Sequence, residues 1–287
     1  MKISDILSSK KTTVSLEVFP PKQWHKLEES KQTVEKLLTY KPDFVSVTYG
    51  AAGTTSGYTA EIAEDILAHG GVPLSHLTCV NSEKSKVREV IDTLEQGGIK
   101  NILALRGDIP KEMTERPHDA FHYANELIAY LKAKGDFCVG AACYPEKHPE
   151  SESVEADIQS LVYKADAGAD FFTTQMFFDN SLLFRFKERC QKAGIAVPVI
   201  AGIMPITAVG QIGRSVSLSG CTIPKAFAEL AATYAHSPED MRKAGTDYAI
   251  AQIRDLLEHG QNNIHIYTMN KPEITAEVLK GIADLIR

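Results

Sequence analysis

The chain has 287 residues, a formal net charge of −6, 44% hydrophobic residues and 24% charged residues. That length suits one large domain with a substantial buried core, and the composition is ordinary for a soluble globular protein. The acidic balance, with no basic run interleaved with aromatics, argues against nucleic acid or an anionic membrane as a partner.

No apolar stretch reaches the roughly 20 residues of a membrane-spanning helix. Met1-Lys2-Ile3-Ser4-Asp5 has no apolar signal core, so a cytoplasmic location is expected. The five cysteines, Cys79, Cys138, Cys143, Cys190 and Cys221, form no CxxC pair. They read as buried, reduced thiols.

In chain order, residues 1–10 form a short amphipathic lead-in. Val14-Ser15-Leu16 then runs into Glu17 and Phe19-Pro20-Pro21, where proline must turn the chain off a strand. Leu27, Val34, Leu37 and Leu38 give helical spacing over 27–40. Phe44-Val45-Ser46-Val47 runs into Thr48, followed by the small-residue loop Gly50–Gly57 and a helix near 58–69. Leu74-Ser75 leads to His76, and a helix over 83–96 stops at Gly97-Gly98.

Ile102–Leu105 runs into Arg106-Gly107-Asp108, then a charged loop at 109–117 and a helix near 119–134. Val139–Cys143 runs into Tyr144, and Pro145 and Pro149 bound an ordered turn. Helices near 154–167 and 180–193 flank Phe171–Thr174, which runs into Gln175. Val199–Ile203 ends before Pro205. Residues 206–258 are too many for one crossover and read as helices near 207–217, 224–234 and 238–259. Ile264-His265-Ile266 runs into Tyr267, and 272–286 is the last helix.

Eight apolar segments separated by helices predict a (β/α)₈ barrel, a single domain over 1–287 with its chemistry at the C-terminal strand ends. An open doubly wound sheet is the competing arrangement. It is disfavoured because no G-x-G-x-x-G follows the first strand.

Glu17 is a carboxylate at a strand mouth among apolar neighbours, where its pKa can rise and it can act as a general acid. Otherwise it is a surface ion-pair partner. Gly107 allows close backbone approach to a ligand, and Asp108 could stabilise a cationic intermediate or simply brace a turn. His76 reads as a hydrogen-bonding group, since no ligand cluster supports a metal site. Thr48, Tyr49 and Ala51, with Tyr144, His148 and Gln175, would line a cup for a flat, polar, multi-ring ligand. Each of them could also be simple packing at the barrel mouth. No Schiff-base lysine at a strand centre, G-x-S-x-G elbow or Walker loop is present.

Nine motifs in order carry a family resemblance. They are Leu16–Pro21, Val45–Ala51, His76–Cys79, Leu105–Pro110, Ala142–Pro149, Lys164–Asp170, Thr174–Asp179, Gly202–Pro205 and Tyr267–Asn270. Along nearly its whole length the chain resembles bacterial methylenetetrahydrofolate reductases. The resemblance implies an FAD-dependent barrel in which NADH or NADPH reduces the flavin. The flavin then reduces 5,10-methylenetetrahydrofolate to 5-methyltetrahydrofolate, supplying methyl groups for methionine synthesis.

It further implies Glu17 as the acid and Asp108 as the electrostatic partner of the cation. Thr48, Tyr49, Ala51, His76, Arg106, Gly107, Asp108, Tyr123, Ala124, Tyr144, His148, Asp157 and Lys164 would hold the flavin, with Arg106 and Lys164 facing its diphosphate. Gln175, Gln211 and Lys271 would contact substrate. Lys271 stands where an arginine is common, and Ser215 near where some members carry an aromatic ring.

A homo-oligomer without a C-terminal regulatory domain is expected. Direct hydride transfer without flavin, and a non-catalytic folate-binding subunit, are the competing functions.

Overall fold

The computed structural model describes residues 1–49, 56–109 and 117–286. Eight parallel strands close into a barrel in sequence order. They are β1 (Thr13–Val18), β2 (Val45–Val47), β3 (Pro73–Thr78), β4 (Asn101–Leu105), β5 (Cys138–Cys143), β6 (Phe171–Thr174), β7 (Val199–Ile203) and β8 (Asn263–Tyr267). The ring closes through β1 and β8, where Thr13 pairs with Asn263 and Glu17 with Tyr267.

Among the described residues the helices are α1 (Ile3–Ser9), α2 (Leu27–Leu38), α3 (Ser56–Ala68), α4 (Lys84–Gln96), α5 (Ala124–Lys134), α6 (Val154–Asp166), α7 (Asn180–Lys192), α8 (Val209–Ser219), α9 (Lys225–Thr233), α10 (Pro238–Glu258) and α11 (Pro272–Gly281). None is long and apolar enough to cross a membrane.

Strand alternation sorts the side chains into two shells. Val14, Leu16, Val18, Val45, Val47, Ile102, Ala104, Val139, Ala141, Ile264 and Ile266 belong to the large core shared with the helices. Inside the barrel, Phe44, Leu74, Leu103, Cys138, Phe171 and Ile200 make an apolar floor, which Ile3 of α1 closes from below. Asn101 accepts the Ile3 N–H at 2.9 Å and so fixes that plug. The large rings of this floor are fully buried, each stabilising by about 1.5–3 kcal/mol. The next inward positions of β1, β2, β3 and β8 are Ser15, Ser46, His76 and His265, all buried. The barrel therefore changes from apolar to polar within one layer, and the polar layer faces the C-terminal mouth.

Two expected helices differ from the structure. The helix expected near 119–134 begins at Ala124, because Asp119 and Ala120 instead pair with Lys84 and Glu83. The last one ends at Gly281 rather than 286. His76 lies within β3 rather than at its end, and Glu17 within β1. All five cysteines are buried and unpaired.

Candidate active site

The polar groups at the mouth fall into three sets. The first centres on Glu17. Its Oε2 accepts a hydrogen bond from the Ser46 hydroxyl at 3.2 Å and lies 3.5 Å from Nε2 of both His76 and His265. His76 Nε2 is 2.7 Å from Ser46 Oγ. On the far side, His265 Nδ1 is 2.8 Å from Ser15 Oγ. Two imidazoles therefore flank one carboxylate, each tied to a serine.

Burial pushes the Glu17 carboxyl up. The hydrogen bond to His265, the imidazoles of His76 and His265, and the Ser46 hydroxyl outweigh it and hold the group below its ordinary value. This corrects the expectation from sequence, which placed Glu17 among apolar groups and its pKa above normal. Burial also brings His76 down to about 4, against the pull of Glu17. At neutral pH the set holds a carboxylate and a neutral His76. Above it, burial and then the Glu17 charge raise the Tyr267 phenol well above its normal value, so it remains a donor. Its hydroxyl donates to the Thr174 carbonyl at 2.6 Å. Gly202 makes room for that ring, since a Cβ there would stand 2.6 Å from the Tyr267 oxygen.

The second set lies over β4, β5 and α6. Arg106 forks onto Glu150, with Nη2 to Oε1 at 2.9 Å. Gly107 has φ 87°, and a Cβ there would meet Thr78 Cβ at 2.9 Å, so only glycine fits this turn. Asp108 is exposed, and its carbonyl accepts from Asn81 Nδ2 at 2.7 Å. Tyr144 packs edge-on against His148 at 4.6 Å between ring centres. Burial pushes its phenol up to about 12.

Asp157 accepts the His148 N–H at 3.2 Å, and burial raises its carboxyl. Lys164 donates to the Ala142 carbonyl at 2.8 Å. Burial lowers its ammonium, while Cys143 and Asp157 oppose that. Tyr123 is 59% exposed at the start of α5, next to Ala124, and its carbonyl lies 3.9 Å from Cys79 Sγ. Thr48 and Tyr49 follow β2, and the Thr48 carbonyl accepts from the Thr59 hydroxyl at 3.0 Å. Ala51 lies outside the described residues.

The third set is Gln175, Gln211 and Lys271, each held by hydrogen bonds within the protein. Gln175 folds back, its Oε1 accepting from the Met176 N–H at 2.9 Å. Gln211 Oε1 accepts the N–H groups of Thr207 and Ala208 at 2.8 and 2.9 Å and so holds the start of α8. Lys271 donates to Thr207 Oγ1 at 3.0 Å and sits beside an open cleft of about 460 Å³ that Arg242 and Glu277 also line.

Sequence reasoning missed Ser15, Ser46 and His265. The signal was available: each is the polar residue at the inward position of an otherwise apolar strand, as in Val45-Ser46-Val47 and Ile264-His265-Ile266.

Strand-end acid, histidine and cation groups over an apolar floor define a (β/α)₈-barrel enzyme with its site at the C-terminal mouth. Comparison with known proteins gives the particular family. Residues 2–283 match the model of the family described as methylenetetrahydrofolate reductase. The chain belongs to that family.

A 5,10-methylenetetrahydrofolate reductase of Pectobacterium carotovorum subsp. carotovorum is 34% identical over 263 residues, 91% of this chain and 87% of that protein. One from Buchnera aphidicola subsp. Schizaphis graminum is 36% identical over 265 residues, 92% of this chain and 89% of that protein. Among solved structures, an uncharacterized Clostridium thermocellum protein that binds two copies of 5-methyl-5,6,7,8-tetrahydrofolic acid aligns with a TM-score of 0.63. The two are 14% identical, and 98% of each chain is covered. At that identity the match speaks for the fold alone.

Proposed function

We propose that this protein reduces 5,10-methylenetetrahydrofolate to 5-methyltetrahydrofolate, with NADH or NADPH as reductant and FAD bound across the mouth. The observation that carries the proposal is the Glu17 carboxylate, set in a buried polar layer in reach of Ser46, His76 and His265.

The second set fits a flavin dinucleotide. Lys164 is an ammonium drawn out of water, and its one hydrogen bond among the described residues goes to a carbonyl. It has donors to spare for a diphosphate. Gly107 brings a bare backbone to the mouth. Thr48, Tyr49, His76, Asp108, Tyr123, Ala124, Tyr144, His148 and Asp157 would complete the cradle. Arg106 would join by releasing Glu150, which is an exposed partner at the rim. Bound there, FAD supplies the hydride transfer between nicotinamide and folate.

The protein's own part is proton control and orientation. Opening the imidazolidine ring breaks a carbon–nitrogen bond, and the departing nitrogen needs a proton. Glu17 would supply it. At rest its carboxyl is held low by its hydrogen bonds. A ring system laid over the mouth removes more water and adds to the one influence that already raises it, which favours the protonated acid. Asp108 would favour the iminium cation that opening leaves. Gln175 and Lys271 would orient the folate.

The test is the absorption spectrum of the purified protein during anaerobic addition of NADH and then methylenetetrahydrofolate. Flavin bands that bleach and then return support the proposal. A colourless protein that consumes NADH only with folate indicates direct transfer. A colourless, inert protein indicates a binding subunit.

A further inference from the structure

The turn after β8 is strained, and the strain has a visible use. The Lys271 N–H closes back onto the Thr268 carbonyl at 3.0 Å. Between them Met269 and Asn270 have φ of 52° and 53°. Two successive left-handed residues are the mark of a type I′ turn, which ordinarily takes Asn-Gly or Gly-Gly. Here neither is glycine. Non-glycine residues stay in that region only when their surroundings hold them there, and such strain gathers at functional sites.

The turn lays two side chains against β1. Asn270 Nδ2 donates to the Phe19 carbonyl at 2.9 Å, and its Oδ1 accepts the Phe19 N–H at 3.1 Å. The Thr268 hydroxyl donates to the Glu17 carbonyl at 2.6 Å, and the Asn270 N–H donates to that hydroxyl oxygen at 3.1 Å. The backbone pairing of β1 with β8 ends at Glu17 and Tyr267. Pro20 and Pro21 follow Phe19 and carry no N–H with which to extend it. The Thr268 N–H still reaches the Glu17 carbonyl, at a long 3.4 Å, and the side chains of Thr268 and Asn270 reinforce the ladder there and extend it to Phe19.

We propose that Thr268 and Asn270 are positioning residues. They clamp the main chain of Glu17 and Phe19 so that the Glu17 carboxyl is presented to substrate while staying in reach of Ser46, His76 and His265. This rests on Glu17 being the proton donor of the proposed reaction. A bracing role for the loop alone would move stability without touching proton transfer.

The decisive variant is Asn270→Gly. Glycine adopts the left-handed conformation freely, so the turn keeps its shape while both bonds to Phe19 are lost. Thr268→Val removes the hydroxyl, and Thr268→Ser restores it.

Asn270→Gly and Thr268→Val are expected to lower kcat for folate reduction about tenfold with KM little changed. The limb of the pH–rate profile on which activity falls with rising pH, where the acid loses its proton, should shift with them. Thr268→Ser should restore both. Carbon-13 NMR of the Glu17 carboxyl reads the clamp without turnover, and its midpoint should rise by about half a pH unit in Asn270→Gly. Wild-type kcat, pH profile and Glu17 titration in both disrupting variants would overturn the clamp. If the unmodified protein fails to reduce folate, the proposed function falls, and the Glu17 titration still decides on the clamp.

Discussion

The Glu17 side of the mouth and the Lys164 side use polar groups in opposite ways. Around Glu17 the partners are buried and turned on one another: Ser46, His76, His265 and Ser15 make a closed set of short contacts. Around Lys164 the cations are partly open, with Arg106 held by a rim carboxylate and Lys164, among the described residues, by a single carbonyl. A closed set fixes where one proton sits. An open set keeps donors available for an anion that arrives later. The difference follows from position, since the first group projects inward from strands and the second comes from strand ends and a helix.

Removing the proton from the first side should have the largest effect. Glu17→Gln keeps the shape and an acceptor oxygen but cannot donate as an acid. Folate reduction should fall by about 10²- to 10⁴-fold, while NADH-driven bleaching of the flavin continues in stopped-flow absorbance. Loss of both half-reactions together would mean that Glu17 serves the cofactor rather than the proton. Unchanged folate reduction would remove it from the chemistry.

The same side should also set how stability responds to acid. An unfolded histidine takes a proton near 6.5, whereas folded His76 resists until about 4. Across that window the unfolded chain binds more protons. Stability is therefore full above 6.5 and falls as pH drops toward 4, by up to about 3 kcal/mol. Glu17 adds to the loss at lower pH, because its folded pKa lies below 4.5. His76→Gln can still hydrogen-bond Ser46 but does not titrate. Urea unfolding between pH 4 and 7 should give a flatter curve for the variant, and parallel curves would show that His76 is not held neutral by the fold.

The two sides were not equally legible. Phe171–Thr174 and Val199–Ile203 are strands with the bounds that their β-branched and aromatic runs suggest. The motif residues over β4 and β5 were visible because they follow apolar runs. The inner set was hidden by alternation: in Ile264-His265-Ile266 the flanking isoleucines face the helices, and only the histidine faces the interior. Tertiary contacts decided other points. Asp119 and Ala120 pair with Lys84 and Glu83 at the start of α4, so α5 starts late, at Ala124. Gln211 is used to start α8, and nothing in its neighbours signals that. The Met269-Asn270 turn carries no glycine to announce it.

The open side offers a smaller and more discriminating test. Lys164→Met keeps most of the volume of the side chain and removes the charge. If the ammonium is there to meet a diphosphate, FAD affinity should weaken by roughly tenfold to a hundredfold, the value of one or two charge-assisted hydrogen bonds. Fluorescence of released flavin during dilution would measure it. Stability of the flavin-free protein should move the other way or not at all, because burial already disfavours the Lys164 charge. A residue kept for packing would show the reverse pattern, a lower melting temperature with unchanged flavin affinity. The sign of the two changes together therefore decides whether the second set is a cofactor anchor or a structural cluster, and the contrast with the closed Glu17 set stands or falls on it.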